Sequence, residues 1–293
     1  MSPLIEINDP AFNAPNTVII DARGGQDSHQ RYLAGHLQNA IYADLDKHLA
    51  AKVTDASIGG RHPLPVIEDF ATLLGTWGVT PKSHVIVYDD KAAANSAARL
   101  WWMLRAIGHK NVQVLNGGLQ AVAKAGIALS TEMNTAALTA SSIASTGSHA
   151  VSTTPYPVRD GYTGTADIQE TGAAALDEHR LVIDVRETPR YLGQIEPIDL
   201  IAGHIPGAIN LPYINNLDAD GRYLPAAILR KAYEEVLAGI KPEDVIVHCG
   251  SGVTACHTLL GMEYAGISGP KLYVGSWGEW SRRGLPIAKE TRR

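Results

Sequence analysis

Val245-Ile246-Val247-His248-Cys249-Gly250-Ser251-Gly252-Val253-Thr254-Ala255 is the stretch on which the reading of this chain turns. Val245 to Val247 are β-branched and read as a buried strand. The strand stops at a cysteine. A Gly/Ser loop follows, and an apolar helical stretch runs from Thr254 through Met262. That order predicts a thiol at the bottom of a ring of backbone N–H groups, facing a helix N-terminus. Unpaired N–H groups and the positive end of a helix dipole stabilise a negatively charged sulfur. Gly250 and Gly252 let the backbone curl around it with no Cβ in the way. A purely structural thiol has no need of such a loop.

The loop also excludes a chemistry. Cysteine-dependent phosphatases place an arginine after five intervening residues to grip the phosphate. That position here is Ala255. A smaller anion, such as a persulfide, suits the loop better.

The same pattern occurs twice in the chain. Val18-Ile19-Ile20-Asp21-Ala22-Arg23 matches Leu181-Val182-Ile183-Asp184-Val185-Arg186, and Ala34-Gly35-His36 matches Ala202-Gly203-His204. Val85-Ile86-Val87-Tyr88-Asp89 matches Val245-Ile246-Val247-His248-Cys249. A period this long means two copies of a domain. Each copy alternates short β-branched runs with longer helical patterns. That predicts an α/β fold, a parallel sheet with helices on both faces. Ala92 to Ile107 reads as a helix ended by Gly108, and Val112 to Leu115 as a strand. Ser130 to Thr154 is rich in Ser, Thr and Ala without apolar periodicity. The chain is therefore divided into a first domain over 1–130, a linker over 131–154 and a second domain over 155–293.

With 293 residues, the chain is long enough for two such domains. Its 45% hydrophobic and 19% charged residues are those of a globular protein. A net charge of -5 points away from nucleic acid and membrane surfaces. No stretch approaches transmembrane length, and the first residues carry no targeting pattern. The two cysteines, Cys249 and Cys256, suggest neither a disulfide framework nor a zinc site. A reducing cytoplasm is the expected location.

The Cys249–Ala255 loop resembles the active-site loop of the rhodanese superfamily, and in particular that of its mercaptopyruvate branch. The thiosulfate branch carries cations where this chain has Gly250 and Ser251. With the duplication, the resemblance covers nearly the whole chain and implies two tandem rhodanese-like domains. It implies a sulfurtransferase that moves sulfur from 3-mercaptopyruvate or thiosulfate through a Cys249 persulfide. The acceptor would be a thiol, cyanide or a thioredoxin-like protein, with no metal or organic cofactor. The N–H groups of Gly250, Ser251, Gly252, Val253 and Thr254 would hold the sulfur's charge. Asp89 stands at the cysteine position of the first copy, so that copy is expected to be catalytically silent. The site is then expected beside Cys249, beyond the strand ends and facing the first domain.

Other residues follow from the same resemblance. Arg190 holds the place of the arginine that binds the donor anion, four residues after Arg186. The mercaptopyruvate branch has a second arginine nine residues further on; here that position is Asp199, where the thiosulfate branch often has an acid. Arg61, in the proline-stiffened run Gly60-Arg61-His62-Pro63-Leu64-Pro65, is a candidate replacement cation, with His62 beside it. Ser251 matches a serine that works with a histidine and an acid as a proton relay. His36 is the expected histidine, and Asp27 a possible acid. Asp184 and Arg186 recur as Asp21 and Arg23 in the silent copy, which argues for a structural role near the site. Two other readings stand beside this one: a thiosulfate-preferring enzyme, and a non-catalytic rhodanese-like carrier or binding module.

Overall fold

The computed structural model describes residues 1–134, 154–158 and 161–289. Of the linker expected over 131–154, residues 135–153 lie outside the described residues. The chain forms two compact units. The first comprises 1–50 and 65–163, the second 51–64 and 164–293. Residues 51–64, which the repeat places in the first copy, thus pack with the second.

In the first unit the strands are β1 (Leu4–Ile5), β2 (Thr17–Asp21), β3 (Ile41–Tyr42), β4 (His84–Tyr88) and β5 (Val112–Leu115). They lie in the order β1-β5-β4-β2-β3, and every pairing is parallel. The second unit repeats the arrangement with β6 (Thr165–Ala166), β7 (Leu181–Asp184), β8 (Ile209–Asn210), β9 (Val245–His248) and β10 (Lys271–Tyr273). Their order is β6-β10-β9-β7-β8, again wholly parallel. The central strands are covered on both faces. Val85, Ile86 and Val87 in β4, like Val245, Ile246 and Val247 in β9, are fully buried. This burial explains their continuous apolar reading in place of an alternating one.

Register carries the repeat to the strand ends. Asp21 pairs with Tyr88, and Asp184 with His248. Asp89 and Cys249 therefore occupy the same place in their sheets, one residue beyond the central strand. The Asp-x-Arg pairs do the same work in both copies. Arg23 clasps Asp21 and donates to the Gly35 carbonyl at 2.9 Å. Arg186 clasps Asp184 and donates to the Gly203 carbonyl at 2.6 Å. Each pair ties a strand end to a neighbouring loop.

The helix expected from Ala92 begins instead at Ser96 and runs to Ala106. Residues 90–95 form a loop in which Ala92 and Ala93 take left-handed backbone angles, φ 55° and 58°. The cause is Asp89. Its fully buried carboxylate accepts the N–H groups of Lys91 and Ala93, both at 2.9 Å, and of Ala97 at 3.2 Å. A helix begun at Ala92 would turn those N–H groups away from the Asp89 side chain. Several hydrogen bonds to one buried side chain outweigh the helix propensity of three alanines, which is worth only tenths of a kcal/mol each.

Asp89→Ala should therefore destabilise the first unit by about 3 kcal/mol, since it strips three N–H groups, those of Ala93 and Ala97 buried and that of Lys91 partly so, of their acceptor. Urea unfolding followed by circular dichroism checks this; a midpoint within error of the parent would contradict it.

Candidate active site

Cys249 ends β9 and is 3% exposed. Loop 250–254 leads from it into the helix Ala255–Tyr264. The backbone on the far side of the cysteine is pinned by the short helix Ser276–Trp280. Trp277 N–H donates to the Cys249 carbonyl (3.0 Å) and Gly278 N–H to the Gly250 carbonyl (2.8 Å). Cys249 N–H donates to Ser276 Oγ, whose hydroxyl donates onward to the Tyr273 carbonyl. Ser276 holds a left-handed conformation, φ 54°, to do so. The segment Gly275-Ser276-Trp277 thus fixes the backbone of Cys249. Burial pushes the His248 imidazole towards its neutral form, against the pull of Asp184 3.8 Å away.

The loop's own N–H groups are the other half of the site. Among the described residues, those of Gly250, Ser251, Val253 and Thr254 donate to no protein acceptor. The equivalent loop after β4 is filled by the Asp89 side chain; this one follows a cysteine. Gly252, at φ 71°, is required by sterics, because a Cβ there would lie 2.5 Å from the Val274 carbonyl oxygen. Cys256 is fully buried, and its thiol donates to the Gly252 carbonyl at 3.3 Å.

Segment 51–64 brings Arg61 and His62 to this loop. Gly60 makes the approach, since a Cβ on it would overlap the Gly275 carbonyl. Gly59 N–H donates to Glu279 Oε1 (3.0 Å), and Tyr273 OH to Glu279 Oε2 (2.9 Å). His62 Nδ1 lies 2.8 Å from Ser251 Oγ. The histidine beside the serine is therefore His62, a correction to the expectation for His36. His36 is fully buried in the first unit, with Nδ1 2.8 Å from the Tyr32 carbonyl and Nε2 3.0 Å from that of Glu132. Its ring stacks on Tyr32 as that of His204 stacks on Tyr191. Two backbone carbonyls occupy both nitrogens, which is the pattern of a structural ring. Asp27 pairs with Arg31 and is largely exposed.

Arg61 and Arg190 both reach Gly250, the residue after Cys249. A Cβ on Gly250 would sit 2.9 Å from Arg61 Nη2 and 3.5 Å from Arg190 Nη2. Between them lies Asp199, whose side chain is fully buried. It does not point away from the site. It accepts from Arg61 Nε (2.9 Å), Arg190 Nη2 (3.2 Å) and Arg282 Nη1 (3.4 Å). Glu196 accepts from Arg190 at 2.7 Å and from Arg186 at 3.2 Å. Arg186 itself is 1% exposed and covers the Trp277 ring at 4.8 Å. Sequence reasoning missed Glu196 and Arg282. The first stood in plain view, six residues after Arg190; the second lacked any motif.

A family model described as Rhodanese-like domain matches residues 6–125 and again 168–283. A probable 3-mercaptopyruvate sulfurtransferase of Pseudomonas aeruginosa is 36% identical over 92% of this chain and 90% of its own length. A thiosulfate sulfurtransferase of Bos taurus is 30% identical over 98% of this chain and 88% of its own. Among solved structures, a 3-mercaptopyruvate sulfurtransferase from Leishmania major superposes with a TM-score of 0.76 at 29% identity, covering 96% of this chain and 75% of that one.

The carboxylate–arginine network has a pH signature. Burial acts to raise the Glu196 carboxyl, but hydrogen bonds from Arg190 and from the N–H groups of Asp199 and Ile198 outweigh it and hold it below the usual range. A carboxyl lowered by folding adds stability above its unfolded value and loses that contribution as pH falls through its folded value. Glu196→Gln should therefore be less stable than the parent by about 1.5–3 kcal/mol at pH 7, with the gap closing below roughly pH 4. Chemical denaturation at both pH values checks this; a gap unchanged by pH would contradict it.

Proposed function

We infer the activity of this chain from its family: it belongs to the rhodanese-like family, through both of its domains. It is an enzyme, a sulfurtransferase. The observation that carries the mechanism is the loop that follows Cys249 after β9, four of whose N–H groups donate to no protein acceptor among the described residues. The Cys249 thiolate attacks the outer sulfur of a small anionic donor. The donor leaves, and the loop N–H groups stabilise the persulfide anion by electrostatic preorganisation. A thiophilic acceptor, such as cyanide, a small thiol or a thioredoxin-like protein, then takes the sulfur. Arg190 and Arg61 bind the donor's anionic end through planar, charge-assisted contacts. The first domain, with Asp89 in place of the thiol, takes no sulfur. A reducing compartment such as the cytoplasm suits the cycle.

Donor choice follows from proton balance. With 3-mercaptopyruvate, the carbon–sulfur bond breaks and the carbon left behind must gain a proton. The donor's own thiol loses one, so the pair of transfers produces pyruvate and the Cys249 persulfide with no net uptake. A relay between the two positions is useful, and Ser251 with His62 at 2.8 Å is suited to it. With thiosulfate, the sulfur–sulfur bond breaks and sulfite leaves without a proton. The Ser251–His62 pair therefore favours 3-mercaptopyruvate as the better donor, with measurable thiosulfate turnover. Asp199, an acid where the mercaptopyruvate branch has an arginine, favours thiosulfate as the second reading.

Incubation with either donor and no acceptor should add one sulfur mass to the peptide carrying Cys249, and Cys249→Ser should add none. Sulfur on Cys256 instead would remove Cys249 from the reaction. Ser251→Ala should slow 3-mercaptopyruvate turnover by roughly a hundredfold and thiosulfate turnover much less. Equal losses with both donors would point to the thiosulfate reading.

A further inference from the structure

Glu279 is 9% exposed, and its carboxylate accepts hydrogen bonds from two segments. Tyr273 OH, at the end of β10, donates to Oε2 at 2.9 Å. Gly59 N–H, in loop 51–64, donates to Oε1 at 3.0 Å. To reach both, the side chain folds back over Gly275, where a Cβ would overlap Oε2. The first copy shows what this place needs for packing alone. There the strand Val112–Leu115 ends six residues before Ala121, as β10 ends at Tyr273 six residues before Glu279. Leu115 and Ala121 stand for Tyr273 and Glu279, and all four are buried. An alanine thus satisfies the core. A carboxylate in the same place is costly to bury, so it has to be explained by what it holds.

We propose that Glu279 is a positioning residue for sulfur transfer: by anchoring Gly59 it sets the place of loop 51–64 and so holds His62 against Ser251. The proposal rests on the Ser251–His62 relay read above. The loop is built to pass a fixed point at Gly59 on to residue 62. Its base is closed by Ala51 N–H, which donates to the Pro63 carbonyl at 2.9 Å. Pro63 follows His62 directly and limits its backbone. Gly59 and Gly60 take left-handed angles, φ 75° and 80°, and bring the chain against Gly275. Arg283 Nη1 adds a longer tie to the Ser57 carbonyl, at 3.4 Å.

A relay tolerates little displacement. His62 Nδ1 lies 2.8 Å from Ser251 Oγ, and a proton passes only while that contact stays within hydrogen-bonding reach. Without an acceptor for Gly59 N–H, two adjacent glycines are free to swing, and the alignment is lost. The Cys249 backbone keeps its own supports, the N–H groups of Trp277 and Gly278. Arg61 keeps its bond to Asp199 at 2.9 Å. The loss therefore falls on the donor that needs the relay.

The test is the single-turnover rate at which saturating donor, without acceptor, loads sulfur onto Cys249, read by mass. A rate constant at saturation is independent of the folded fraction and of donor affinity. Glu279→Ala should slow loading from 3-mercaptopyruvate by roughly ten- to a hundredfold and from thiosulfate by less than about threefold. Glu279→Gln keeps an oxygen for Gly59 N–H and offers an amide N–H to the Tyr273 oxygen, so it should load 3-mercaptopyruvate sulfur within about threefold of the parent. His62→Ala should itself slow 3-mercaptopyruvate loading. Adding Glu279→Ala to it should slow loading no further, because Glu279 acts through His62. Equal slowing with both donors, a parent-like alanine variant, a glutamine variant as slow as alanine, or losses that multiply in the double variant overturns the proposal. If neither donor loads the parent, the sulfurtransferase reading has failed. If His62→Ala loads 3-mercaptopyruvate sulfur at the parent's rate, the relay reading has failed and this proposal with it. If His62→Ala is slow and any of the overturning results appears, only the role of Glu279 has failed.

Discussion

The structure depends on what fills the ring of backbone N–H groups after the central strand of each sheet. Those groups cannot be left buried without an acceptor. In the first unit the answer is built in: the Asp89 carboxylate takes the N–H groups of Lys91, Ala93 and Ala97. In the second, a thiol of one heavy atom beyond Cβ stands where the carboxylate would be, and four N–H groups have no protein acceptor among the described residues. On the proposed function, an anionic sulfur on Cys249 would supply the acceptor that Asp89 supplies in the other copy. The same backbone would thus be a closed structural element with one side chain and, on the proposed function, a reactive site with another.

A second constraint surrounds the first. Cations that attract an anionic donor also repel one another, and a buried cluster of them needs carboxylates to hold it. Asp199 and Glu196 do this for Arg61, Arg190 and Arg282, while Asp184 holds Arg186. The backbone supports are equally specific. Gly60 and Gly252 each lie so close to a neighbouring carbonyl that no side chain fits. The geometry around the Cys249 loop is therefore set in part by residues well away from it in sequence.

Much of this was legible in the sequence, for identifiable reasons. β5 appears at Val112–Leu115 as read, and the β-branched runs around residues 18–21, 85–88, 181–184 and 245–248 are the inner strands, because a buried parallel strand is continuously apolar. Cys249 and Arg190 were visible because the loop and the spacing are unusual. What was not legible depended on contacts between distant residues. The helix start at Ala92 failed because alanine propensity is local, whereas the carboxylate that unwinds 92–95 acts through space. His36 looked right by motif, but a histidine is defined by what its two nitrogens face, and only folding brings His62 to Ser251. Asp199 read as a missing arginine because its three partners lie up to 138 positions away in sequence.

The central claim is that the loop N–H groups of residues 250–254 hold a negatively charged sulfur on Cys249. The most direct measurement is a crystal structure of the protein soaked with 3-mercaptopyruvate in the absence of acceptor. The account predicts one added sulfur on Cys249 Sγ, directed into the loop and within hydrogen-bonding distance of several of those N–H groups. Added sulfur turned out of the loop, or found on Cys256 with Cys249 unmodified, would contradict it.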